Sequence, residues 1–158
     1  MKTRGLFQND APARIASQTG QSHRILVADD EPIMQQLYAS VLAPSGYQVE
    51  AAKDGAAAWE ALCANKYDLL ITDNSMPKVS GVELIEKLRA ARMSLPTILV
   101  SGSLPTENPS LKISVTLLKP VSPDALLKNV KEVLRTPRTD DCSWPLHGEA
   151  GSRSDPPQ

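Results

Sequence analysis

Between residues 23 and 135 the chain alternates short apolar runs with longer segments whose apolar residues return every three or four positions. "RILVA" (24–28) closes on Asp29 and Asp30 and has the pattern of a strand buried on both faces. After Pro32, the residues Ile33, Met34, Leu37, Tyr38, Val41 and Leu42 recur at helical spacing, and "APSG" stops the helix. "YQVEA" predicts a second, more exposed strand. "DGAAAWEALCANK" predicts a helix capped by Asp54, with Trp59 and Leu62 facing inward. "YDLLITD" reads as the third and most buried strand, and "GVELIEKLRAAR" as a helix with Val82, Ile85 and Leu88 on one face. "LPTILVSG" and "VTLLK" supply a fourth and a fifth strand. "SPDALLKNVKEVLR" closes the pattern with Ser122 as N-cap, Pro123 at the first helical position, and Leu127, Val130 and Val133 or Leu134 inward.

Strands of this kind, separated by amphipathic helices, predict a parallel sheet, because each parallel crossover needs about a dozen residues and usually runs through a helix. The expected fold is α/β: a doubly wound, five-stranded, flavodoxin-like sheet covered on both faces. Residues 1–22 and 136–158 lack the pattern and are rich in polar residues, with Pro and Gly concentrated in the second segment. They are expected to be flexible tails flanking one domain over 23–135.

Composition changes this picture little. Aromatic residues make up only 4%, so Leu, Val, Ile and Ala must fill the core. A formal charge of −1 supplies no field that would draw the whole chain to nucleic acid or an anionic membrane. Cys63 and Cys142 match no metal or disulfide spacing, and no apolar run reaches the roughly 18–20 residues of a membrane span. Neither a secretory signal nor membrane insertion is expected, and the cytoplasm is the expected location.

The chemistry lies at the ends of the strands. In open parallel sheets the ligand crevice lies outside the carboxyl ends of the strands. Asp29 and Asp30 follow strand one, Asp73 ends strand three, Ser101 ends strand four and Lys119 ends strand five, so all of them fall on one edge. Three neighbouring carboxylates cannot all stay ionised cheaply, since each raises the pKa of the next. A divalent cation relieves that cost, and a hard, oxygen-only set with few ligands suits Mg²⁺. Adding an ammonium and a hydroxyl makes a receptacle for a phosphoryl group, with one carboxylate available as nucleophile.

These motifs, "ILVADDEP", "DNSMPKVSG", "LVSGS" and "LLKPVSP", in this order on this fold, resemble the receiver domains of two-component response regulators over residues 24–135. The resemblance implies that Asp73 is the phosphoacceptor, Asp30 a direct and Asp29 an indirect Mg²⁺ ligand, and Ser75 the donor of a backbone carbonyl to the metal. It further implies that Ser101 hydrogen-bonds the phosphoryl oxygens, that Lys119 pairs with the acyl phosphate, and that the Lys119–Pro120 peptide is cis.

Two departures bear on the output side. Where the family commonly carries an aromatic residue three positions before the active-site lysine, this chain has Thr116, so a rotating ring is not expected as the switch. "GSLPTENPSLKIS" (102–114) is short and holds Pro105 and Pro109, which predicts a fourth helix that is shortened or replaced by a loop.

The functional expectation is a stand-alone receiver in phosphorelay signalling, taking a phosphoryl group from a histidine kinase or phosphotransfer protein and acting on a protein target, without DNA binding. Apart from its own phosphorylation and dephosphorylation it is not expected to be an enzyme. Three other readings stay open: a pseudo-receiver that binds partners without phosphorylation, a relay intermediate or phosphate sink, and a haloacid-dehalogenase-like phosphatase. The last is disfavoured because its second acid would stand two residues after the nucleophile, whereas Asp29 and Asp30 are adjacent.

Overall fold

The computed structural model describes residues 22–104 and 108–136. Five parallel strands, β1 (Arg24–Ala28), β2 (Gln48–Ala52), β3 (Leu69–Asp73), β4 (Thr97–Ser101) and β5 (Val115–Leu118), form one sheet in the order β2-β1-β3-β4-β5. Four helices accompany them: α1 (Pro32–Leu42), α2 (Gly55–Ala64), α3 (Gly81–Ala90) and α4 (Pro123–Arg135). This is the doubly wound fold expected from the pattern. Of the expected tails, residues 1–21 and 137–158, Cys142 among them, lie outside the described residues.

Strand alternation explains the two layers. Ile25, Val27, Leu69, Ile71, Ile98 and Val100 point to one face, where Tyr38 and Leu42 of α1 and Leu126 and Val130 of α4 cover them. Leu26, Ala28 and Leu70 point to the other, against Leu62 of α2 and Leu84 and Leu88 of α3. Successive side chains of a strand leave opposite faces, so an uninterrupted apolar run is what a twice-covered strand requires. β3, with all five residues buried, is the centre of the sheet. Edge strand β2 buries only Ala52, matching its more polar sequence.

The inward faces of the helices differ in detail from the pattern. In α1, Ile33 is 77% exposed and Leu37 is 37% exposed. The inward stripe runs through the buried Tyr38 and Leu42 and the partly buried Met34 and Val41, and Ile33 and Leu37, each one position before Met34 or Tyr38, are turned away from the sheet by about a quarter turn. In α3, Leu84 joins Ile85 and Leu88 in the core while Val82 is half-buried. In α4, Leu126 and Val130 are the buried pair, and Leu127 sits at the margin. α2 starts where expected, with the Asp54 carboxylate accepting from Ala57 N–H. α3 begins with a reciprocal capping box between Ser80 and Glu83 that the sequence reading did not pick out.

The link from β4 to β5 contains no α-helix among its described residues, only a 3-10 turn at Pro109–Leu111. Leu111 plugs a small cluster with Ile85 and Leu99. Arg89, on the last turn of α3, binds this link down: Nε donates to Leu111 O (2.7 Å) and one terminal nitrogen to Lys112 O (3.0 Å). The same guanidinium also donates to Met93 O and Leu95 O in the α3–β4 connection.

Candidate functional site

β1, β3 and β4 end on one edge in a stagger of one residue each, Ala28 pairing with Thr72 and Asp73 with Val100 before β4 ends at Ser101, and the chain is bonded across that edge. Asp29 N–H donates to Ala52 O, Asn74 N–H to Val100 O, and Lys119 N–H to Ser101 O. These bonds fix the backbone from which the site side chains project. Gln35 of α1 adds a clamp, its amide donating to Asp29 O (2.6 Å) and Ala52 O (3.3 Å).

Asp29, Asp30 and Asp73 each offer a carboxylate oxygen, all within 4.8 Å of one another. Asp29 and Asp73 are buried and Asp30 is exposed. Lys119 extends from just beyond β5 so that Nζ lies 3.1 Å from Asp73 Oδ1. Ser101 is buried at the end of β4 and its Oγ accepts from Ser103 N–H. Ser75 is exposed, in the loop between Asp73 and α3. The Lys119–Pro120 peptide is cis, as the resemblance implied. The structure thus brings Asp29, Asp30, Asp73 and Lys119 into one cluster, with Ser101 on the neighbouring strand end and Ser75 on the bordering loop.

The electrostatics are those of a site short of positive charge. Burial pushes the Asp29 carboxyl up, and the neighbouring Asp73 and Asp30 charges add to that, against the lowering effects of the Glu31 N–H and Lys119. Burial pulls the Lys119 ammonium down, but contact with Asp73 and the charges of Asp29 and Glu31 more than offset it, so the net shift is upward. Tyr38, buried beneath the edge, is pushed up to about 12 by burial and by the charges of Asp29 and Asp73. Three carboxylates and one ammonium leave two negative charges unbalanced, and the buried Asp29 Oδ2 has no hydrogen-bond partner. Those residues fit a small divalent cation: hard oxygens, few in number, with Asp29 Oδ2 unused and Asp73 Oδ1 met only by the Lys119 ammonium.

A family model described as the response regulator receiver domain matches residues 25–131. The chain belongs to this family. As a receiver domain of phosphorelay signalling, it is 35% identical over 106 residues to the sensor histidine kinase RcsC of Salmonella typhi, covering 65% of this chain and 11% of that protein. It spans between 9% and 50% of the length of the curated relatives it matches. Among solved structures, the Francisella response regulator 1452 receiver domain aligns with a TM-score of 0.67 at 31% identity, covering 72% of this chain and 97% of that one. The response regulator TrrA of Thermotoga maritima, solved in complex with Mg(2+)-BeF, aligns with a TM-score of 0.65 at 30% identity, covering 70% and 98%. Membership in the family removes the haloacid-dehalogenase-like alternative. A receiver is a signalling module, not a metabolic enzyme.

Two residues close to the site escaped the sequence reading. Lys78, in the loop after Asp73, donates from Nζ to Asp54 Oδ2 at 2.9 Å. Asn74 accepts from Val82 N–H through Oδ1 and so ties the residue after Asp73 to the start of α3. The "DG" at 54–55 carried half of the first signal, as a helix start. Its partner lies 24 residues away, which no local pattern reveals.

Proposed function

We propose that this receiver accepts a phosphoryl group on Asp73 from the phosphohistidine of a histidine kinase or phosphotransfer protein. The observation that carries the reading is the placement of the Asp73 carboxylate, buried at the end of the central strand, beside both Asp29 and Asp30 and within 3.1 Å of Lys119 Nζ. An Asp73 oxygen attacks phosphorus, the P–N bond breaks with its electron pair going to the departing imidazole, and an acyl phosphate forms on Asp73. Lys119 counters the charge that develops on the transferred group. Ser101 Oγ accepts from Ser103 N–H, which leaves its own hydroxyl proton to donate to a phosphoryl oxygen.

Asp30 and Asp73 would hold Mg²⁺ directly, Asp29 indirectly, and Ser75 through its backbone carbonyl. When bound, the cation supplies charge neutralisation for the incoming phosphoryl oxygens. The Mg(2+)-BeF complex of TrrA supports this reading, as do relatives named as sensor histidine kinases. Such a donor draws on cellular ATP, which supports a cytoplasmic location. A protein target and the absence of DNA binding complete the proposal; specific gel shifts with this chain would overturn the latter.

The test is intact mass after incubation with a small-molecule phosphodonor, with Mg²⁺ and with chelator, for the wild type and Asp73→Asn. A Mg²⁺-dependent gain of one phosphoryl group that disappears in the variant is the expected outcome. No gain with any donor would move the function to partner binding without phosphorylation.

A further inference from the structure

The loop that follows Asp73 is exposed at Ser75, Pro77 and Lys78 and half-buried elsewhere, and one side of it is fastened to a helix outside the acidic cluster. Asn74 secures its start through Val100 O, and the Ser80–Glu83 capping box secures its end. Its middle is held from α2. Asp54 is 4% exposed and divides its two oxygens: Oδ1 accepts from Ala57 N–H at 2.7 Å as the cap of α2, and Oδ2 accepts from Lys78 Nζ at 2.9 Å. Lys78 stands in the left-handed region at φ 68, a conformation that L residues rarely adopt. At Gly55 a Cβ would collide with the carbonyl oxygen and Cβ of Val79, so the first turn of α2 lies directly against the loop. Met76 and Val79 pack on the same side, against the core beneath α2.

We propose that α2 acts as a buttress for the cation site, with Asp54 and Lys78 as positioning residues that hold the loop in the shape from which Ser75 offers its carbonyl. The inference rests on the reading of the site given above. A backbone ligand on an unpinned loop must be ordered when the metal arrives, and that ordering is subtracted from affinity; a loop already pinned avoids it. Lys78 is three residues from Ser75, on the same short loop.

Two mechanisms predict opposite signs for one variant. If Lys78 acted only through its charge, removing a cation near an acidic cluster would tighten Mg²⁺ binding. If it acts by pinning the loop, removing it weakens binding. The experiment is calorimetric titration of Mg²⁺ into the metal-free full chain, without phosphodonor, for the wild type, Lys78→Met, Lys78→Arg, Asp54→Asn, the double variant and Asp30→Asn. Amide hydrogen exchange of residues 74–80 in the metal-free proteins is measured alongside.

Lys78→Met and Asp54→Asn are each expected to raise the Mg²⁺ Kd by about tenfold, the low end for outer-shell partners of a metal site. The double variant should lose no more than either single one, Lys78→Arg should recover most of the affinity, and loop amides should exchange faster in the two single variants. A purely structural role would lower the melting temperature and leave Kd and its rescue unmoved, which overturns the proposal. If the wild type binds and Asp30→Asn abolishes binding while Lys78→Met binds equally well or more tightly, the site reading stands and the buttress falls. If the wild type does not bind Mg²⁺, both fall.

Discussion

Arg89→Met tests how a receiver does without a full fourth helix. The guanidinium makes five hydrogen bonds to four backbone carbonyls, those of Met93, Leu95, Leu111 and Lys112, at 2.7–3.3 Å. Met retains most of the apolar stem and removes every donor. Lys112 is exposed, so its carbonyl finds water, and Leu95 O keeps the Thr97 hydroxyl as a donor, whereas Met93 and Leu111 are 3% and 4% exposed and their carbonyls have poorer alternatives. Stranding a buried acceptor costs about 1–3 kcal/mol, and the relief of desolvating a guanidinium offsets part of that. The expected loss is about 3 kcal/mol, or a fall in melting temperature of about 10 °C for a domain of this size. Urea and thermal unfolding followed by circular dichroism give the global number. Hydrogen exchange at residues 111–114 should show the loss concentrated there. Arg89→Lys should recover only a minor part, since an ammonium cannot fork to carbonyls on two connections at once. Destabilisation below about 0.5 kcal/mol, the range of an ordinary surface change, would refute the reasoning.

Gly81→Ala should destabilise by about 1–3 kcal/mol and slow phosphorylation, because its Cβ would meet the Asp73 carbonyl oxygen and Leu99 Cδ1; Gly102→Ala, where nothing lies within 4 Å, serves as the silent comparison in the same unfolding assay. Glu83 titrates below its ordinary value because it accepts from the backbone N–H of Ser80 and from the Ser80 side chain. An acid with a lowered folded pKa gives stability that is present above the unfolded value of 4.5 and is lost as pH falls through the folded one. Melting curves of Glu83→Gln and wild type should therefore differ at pH 7 and converge as pH falls well below 4.5; a gap of constant size would contradict this.

β1, β3 and β4 were legible because burial on both faces leaves an uninterrupted apolar run, whereas β2, which buries only Ala52, and the half-buried β5 were legible as short strand patterns standing between helical ones. Asp29, Asp73, Ser101 and Lys119 were legible for a related reason: a polar residue closing an apolar run marks a strand end, and parallel strands place their ends on one edge. Pro105 and Pro109 announced the loss of a regular helix, and Pro109 does open the 3-10 turn. What stayed hidden was held by distance along the chain. Arg89 reaches carbonyls 22 and 23 residues away, and carbonyls carry no side-chain signature. Lys78 meets Asp54 across 24 residues, and its left-handed backbone is not the conformation a lysine advertises. Ile33 and Leu37 shared a helical period with the buried stripe of α1, and the period alone could not say which apolar neighbours would turn outward.

The acids of the cluster all precede its ammonium along the domain: Asp29 and Asp30 follow the first strand, Asp73 ends the third and Lys119 follows the last. A chain emerging from the ribosome thus carries its acids long before the lysine that stands beside Asp73. Until β5 has paired with β4 and brought Lys119 to the edge, Asp73 lacks the ammonium that lies beside it in the finished fold. On the proposed reading, a half-made or partly unfolded copy would hold the acceptor carboxylate without the ammonium that counters the charge of the transferred group.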